Sequence, residues 1–88
     1  MKTYFFTAEW CSACKQMHPV IEQLRKEGYK IQTVDVDSDS KLSSRYKIGS
    51  LPTTVATQDE KEIKRFVGVV AIEKLREVLK KDLEYKVW

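Results

Sequence analysis

The sequence predicts an α/β chain in the order β-α-β-α-β-β-α. Short runs of aromatic and β-branched residues alternate with stretches whose apolar residues recur every three or four positions, the two periodicities of strand and helix. Late in the chain two strand-like runs follow one another across a polar turn, which supplies the β-β step. With 88 residues, 42% of them hydrophobic, there is enough chain for one modest core and too little for two. Residues 1–88 are therefore expected to form a single domain.

Each element has its own local cause. Lys2 to Thr7 (Lys-Thr-Tyr-Phe-Phe-Thr) is rich in residues that fit a pleated surface and reads as the first strand. A helix follows, because Ala13, Met17, Val20, Ile21 and Leu24 make one apolar stripe and Gly28 supplies the expected stop. Ile31 to Val36 is the second strand, and Asp37-Ser38-Asp39 offers N-cap candidates for a short helix through about Tyr46. Gly49-Ser50-Leu51-Pro52 is a loop. Thr53 to Thr57 and Glu62 to Val67 are then expected to pair as a hairpin across the polar turn Gln58-Asp59-Glu60-Lys61. The last helix starts near Ala71, with Ile72, Leu75, Val78, Leu79 and Leu83 on one side and Lys and Glu on the other. Tyr85 and Trp88 either close the core edge or touch a partner.

The chemistry is concentrated in Trp10-Cys11-Ser12-Ala13-Cys14, which holds both cysteines of the chain. A Cys-x-x-Cys at a strand-to-helix junction reads as a redox motif. At the helix N-terminus, unpaired backbone N–H groups and the positive end of the helix dipole stabilise an anion. Cys11 is therefore expected to have a lowered pKa and to act as the nucleophile. Cys14, three residues on, lies on nearly the same helix face and is expected to resolve a mixed disulfide formed at Cys11, leaving a Cys11–Cys14 disulfide. Tethering makes that second step intramolecular and fast.

Charge and length narrow the remaining classes. Sixteen Lys and Arg against thirteen Asp and Glu leave a net charge of +3, and the two signs are interspersed, as in Arg25-Lys26-Glu27 and Asp59 to Arg65. That is a solvated surface, without the dense basic patch and exposed aromatics of a nucleic-acid reader. No apolar stretch reaches the length of a membrane span. The first ten residues hold only a short apolar run broken by Glu9, unlike a secretory leader, and a dithiol that must cycle suits a reducing compartment. The chain is expected in the cytoplasm, as a monomer that binds neither nucleic acid nor membrane.

Rival readings of the same residues carry less. Cys11, Cys14 and His18 could share a helix face as metal ligands, but a closed zinc site needs a fourth ligand and His18 is the only histidine. Asp35-Val36-Asp37-Ser38-Asp39 hints at a calcium loop, yet Ser40 stands where that loop requires glycine and Tyr46 where it requires glutamate. A strand end followed by a helix cap explains it better. Pro19 falls inside the first helix and is read as structural.

These landmarks together resemble the thioredoxin family. Ala8-Glu9-Trp10-Cys11-x-x-Cys14-Lys15 is similar to its active-site segment, Pro19 to the proline of its active-site helix, and Leu51-Pro52-Thr53 to its cis-proline loop. Gly68 fits the family glycine after the last strand. The likeness runs from Tyr4 through Gly68 and continues into the closing helix, without the extra N-terminal strand and helix of a full-length thioredoxin. It implies a minimal thioredoxin fold around a central four-stranded mixed sheet. It further implies that Pro52 is cis and packs beside the disulfide, that the backbone of Leu51 pairs with a substrate peptide, and that Trp10 and Gly68 border the binding surface.

Two departures from the family pattern bear on mechanism. The positions of the family's buried acid and nearby lysine are occupied by Phe5 and Thr33, so deprotonation of Cys14 falls to water or Glu9. The intervening pair is Ser12-Ala13 rather than Gly-Pro, so the reduction potential does not carry over. The expected function is a thiol–disulfide oxidoreductase that needs no bound cofactor and reduces disulfide-containing proteins, with ribonucleotide reductase a candidate substrate and thioredoxin reductase recharging the pair. The alternatives are a glutathione-dependent, glutaredoxin-like enzyme and a non-enzymatic metal-binding module of the same fold. Val67-Gly68-Val69-Val70-Ala71 lacks the Gly-Gly and nearby Asp that hold glutathione in glutaredoxins, which disfavours the first.

Overall fold

A computed structural model describes the backbone of residues 2–85 and the side chains of residues 2–80. The side chains of Leu83, assigned above to the apolar side of the last helix, and of Tyr85, assigned with Trp88 to the core edge or a partner, lie outside the described residues, as does Trp88. The elements are β1 (Lys2–Thr7), α1 (Ser12–Lys26), β2 (Ile31–Asp35), α2 (Ser40–Arg45), β3 (Thr53–Gln58), β4 (Lys61–Val67) and α3 (Ile72–Tyr85). Their order is the expected one. No helix among the described residues is long and apolar enough to cross a membrane.

The strands form one mixed sheet in the order β2-β1-β3-β4. β1 runs parallel to β2, with α1 as the crossover, and antiparallel to β3, which pairs antiparallel with β4. As an inner strand β1 is buried on both faces, so its sequence reads as a continuous apolar run rather than an alternation. Phe5 points into a cluster with Cys11, Cys14, Met17, Ile21 and Leu24 of the α1 region and with Leu75 and Leu79 of α3. Tyr4 and Phe6 point the other way, to Val34, Val55 and Tyr46 at the end of α2. Helices α1 and α3 thus cover one face, and the α2 region covers the other.

The structure adjusts the sequence expectations in detail. The buried stripe of α1 is Cys14, Met17, Ile21 and Leu24, whereas Ala13 and Val20 sit half-buried at its edge. Cys14 is thus a core residue as well as a thiol. β2 ends at Asp35, one residue early, although Val36 N–H still donates to Thr7 O at 3.0 Å. The β3–β4 hairpin is longer than the sequence suggests, because Gln58 and Lys61 pair and only Asp59 and Glu60 turn, both with positive φ (52° and 68°). That is the sign of backbone twist that two-residue hairpin loops require. A register shift between Ala56 and Thr57 leaves Ile63 as an extra residue in β4. Pro19 lies within α1 on its exposed side, and the helix continues through it.

Candidate active site

Sheet register assembles the site at one end of the fold. Phe6, Thr53 and Val67 lie side by side in a row across β1, β3 and β4. β1 therefore runs out toward Cys11, β3 begins just after Pro52, and β4 runs out into Gly68, all at the same edge of the sheet. The start of α1 sits above that edge.

Cys11 is the N-cap of α1, with φ −92° and ψ 104°, and its Sγ accepts the Cys14 backbone N–H at 3.1 Å. Its own N–H donates to Ala8 O at 3.1 Å, which closes the turn out of β1. A sulfur atom thus does the work that a Ser, Thr, Asp or Asn oxygen usually does at a helix start, satisfying one otherwise unpaired donor. Cys11 and Cys14 form a disulfide with Cα atoms 5.3 Å apart, a usual separation for such a bridge. Cys11 is 7% exposed and Cys14 is 0% exposed, so an incoming sulfur meets Cys11 first.

The other residues singled out by sequence converge on the pair in different ways. Leu51 packs against the cluster that contains both cysteines, and the Leu51–Pro52 peptide is cis. Pro52 O accepts the Gly68 N–H at 2.7 Å, which ties the loop before β3 to the end of β4. Gly68 has φ +87°, a conformation that costs glycine little and L residues more. Trp10 is 70% exposed, and Val67 and Val69 flank Gly68 as further exposed apolar side chains.

Spacing could not foresee how Trp10 is held. Its indole Nε1–H donates to Asp37 Oδ2 at 2.8 Å, across 27 residues of chain. Asp37 had been a cap candidate for α2, but Asp39 is the cap and accepts Leu42 N–H at 3.2 Å. Asp35 Oδ1 accepts the Asp37 N–H at 2.8 Å. Each acid of the calcium-like run is thus engaged in local structure or with Trp10.

Phe5 and Thr33 face one another in the β1–β2 register, where the family resemblance places an acid and a lysine. Phe5 is fully buried in the cysteine cluster, so hydrocarbon fills the space beneath Cys14. Thr33 accepts from Arg25 Nη2 instead. His18 is exposed and meets the Phe5 ring edge-on at 5.8 Å. Among the described residues no three His, Cys, Asp or Glu side chains gather as a metal site.

The comparisons with known proteins agree with this geometry. The thioredoxin family model matches residues 4–81. A thioredoxin of Chlamydia trachomatis is 41% identical over 66 residues, 73% of this chain and 65% of that protein. One of Bacillus subtilis is 35% identical over 81 residues, 89% of this chain and 78% of that protein. Thioredoxin 1 of Thermosipho africanus superimposes with a TM-score of 0.80 at 29% identity, covering 98% of each chain. A sheet of this order, a cysteine pair bonded at the start of α1, and relatives of this closeness have one common explanation: the chain belongs to the thioredoxin family, the thiol–disulfide oxidoreductases that act on disulfide-containing proteins.

Proposed function

We propose that this chain reduces protein disulfides, with residues 1–88 working as one domain in the cytoplasm, as a monomer. The Cys11 thiolate attacks one sulfur of a substrate disulfide, giving a Cys11–substrate mixed disulfide and releasing the other sulfur as a thiolate. Cys14 then attacks Cys11 Sγ, releases the second substrate thiolate and leaves the Cys11–Cys14 disulfide. The observation that carries this reading is the N-cap geometry of Cys11, whose Sγ accepts a backbone N–H from the first turn of the helix. The same N–H and the positive end of the helix dipole favour negative charge on that sulfur once the bridge opens.

Substrate would lie along the edge formed by Trp10, Leu51, Pro52 and Gly68, with its extended backbone pairing to that of Leu51. Thioredoxin reductase is the proposed electron donor and ribonucleotide reductase a proposed substrate. No resident cofactor is required, because sulfur carries the two electrons.

NADPH consumption with a bacterial thioredoxin reductase and insulin as the disulfide substrate tests the proposal, beside an arm with glutathione and glutathione reductase. Turnover in the first arm alone is expected. Turnover in the second arm alone would replace the proposal with a glutathione-dependent enzyme, and silence in both would overturn reductase function.

A further inference from the structure

The Thr7 hydroxyl is the one buried side-chain polar atom that finds no hydrogen-bond partner among the described residues. Thr7 is 7% exposed and ends β1, one residue before the turn that leads into Cys11. Strand alternation puts it on the face of Phe5, the face that packs against Cys11 and Cys14, while Tyr4 and Phe6 face away. A buried hydroxyl without a partner carries a free-energy penalty that folded proteins seldom leave unmet. Two other buried threonines show the usual match: Thr53 Oγ1 donates to Ser50 O at 2.6 Å and Thr57 Oγ1 to Lys2 O at 2.8 Å. Across β2, Asp35 stands opposite Thr7 but directs its carboxylate to the Asp37 N–H.

The two sulfurs are also unequal. Cys11 Sγ has a donor in the Cys14 N–H, whereas among the described residues no donor meets Cys14 Sγ. Cys14 is the sulfur with no solvent access, and hydrocarbon from Phe5 lies where an acid would assist it.

Resting on the reductase reading above, we propose that Thr7 is the hydrogen-bond donor to Cys14 Sγ in the dithiol state, unmatched in the disulfide and matched when the bridge opens. Opening the bridge separates the sulfurs from bonding to contact distance, which frees Cys14 Sγ to approach the hydroxyl. Thr7 keeps its proton throughout. With Cys14 sealed from solvent, its proton passes to the substrate thiolate released in the first exchange rather than to the water or Glu9 expected from sequence, and the Thr7 O–H holds the resulting Cys14 thiolate until it attacks Cys11 Sγ. The thiolate's electron pair then forms the S–S bond and the hydroxyl loses its partner. A donor satisfied only in the reduced protein favours that protein, so it raises the reduction potential.

Equilibration of the purified protein with defined ratios of reduced to oxidised glutathione, followed by thiol alkylation, measures the exchange constant without reference to any substrate. Thr7→Val keeps the shape and removes the donor; Thr7→Ser keeps the donor. The Val variant should favour the disulfide by about tenfold relative to wild type, ~30 mV toward the reducing side, with the Ser variant within about twofold of wild type. Equal potentials for wild type and Val, or equal shifts for Val and Ser, would overturn the assignment. Denaturation of the oxidised and reduced forms gives a second reading: a purely structural threonine shifts both stabilities equally, and that result also overturns it. Failure of wild type to interconvert in glutathione buffer would instead defeat the underlying reductase reading.

Discussion

Cys11 and Cys14 are three residues apart yet differ in every property that matters for exchange. Cys11 caps a helix and keeps slight exposure, while Cys14 is sealed in the core with Phe5, Met17 and Ile21. Cys11→Ser should therefore abolish disulfide reduction. Cys14→Ser should still attack and accumulate a mixed disulfide, visible by mass spectrometry of protein mixed with a labelled disulfide peptide; equal inertness of both would sink the division of roles. Trp10 makes a second point at this scale, because an indole 70% exposed keeps a defined orientation only if something holds it. The Asp37 carboxylate does so at 2.8 Å. Asp37→Ala removes the acceptor and should raise KM for a protein disulfide by about threefold with kcat little changed, in keeping with a solvent-facing hydrogen bond of about 0.5–1 kcal/mol. A fall in kcat alone would count against Trp10 as a contact surface.

Among the elements, the two helix ends show why one stop signal was readable and another was not. After α1, Gly28 N–H donates to Arg25 O and Tyr29 N–H to Leu24 O, with Gly28 at φ +101°. After α2, Lys47 N–H donates to Ser44 O and Ile48 N–H to Ser43 O, with Lys47 at φ +51°. Both are the same paired closure, in which a left-handed residue lets two N–H groups reach back to unpaired carbonyls. Only the first carries a glycine, so only the first was visible in the sequence. Lys47→Gly should relieve the left-handed strain and raise stability by about 0.5–1 kcal/mol, and Gly28→Ala should lower it by about 1 kcal/mol, each read as a shift in the urea midpoint at constant m. A destabilised Lys47→Gly variant would show that the lysine side chain contributes more than its backbone costs.

At the scale of the whole molecule, α1 and α3 are tied at the surface as well as through the core. Arg76 donates from Nε to Glu27 Oε1 at 2.8 Å and from Nη2 to Oε2 at 2.7 Å, a bidentate pair joining the end of α1 to α3. Those bonds, with a further one from Gln23, hold the Glu27 carboxyl down from 4.5 to about 2. A carboxyl with a depressed folded pKa adds stability above its unfolded pKa and loses it as pH falls toward the folded one. The gap in stability between wild type and Glu27→Gln should therefore be full near pH 6 and close between about pH 4.5 and 2. Urea titrations across that range check it; a gap independent of pH would remove the ion pair as its cause, and added salt should narrow it at neutral pH.

What the amino-acid sequence determined by itself was the part of the local structure that carries a residue-type signal. The order of elements, the Cys-x-x-Cys at a helix start, the Gly28 stop, the Asp39 cap among its candidates and the Leu51–Pro52 loop are all written in periodicity, caps and spacing. The tertiary structure alone decided which distant residues share a row or a face. It brought Phe6, Thr53 and Val67 into line, so that Pro52 and Gly68 open at the edge where Cys11 begins α1. It set Asp37 against Trp10, inserted Ile63 as an extra residue in β4, and left the Thr7 hydroxyl unmatched on the face of β1 that packs against the cysteines. The reason is that strand register and face are chosen by burial summed over the whole sheet, and no single run of sequence contains that sum.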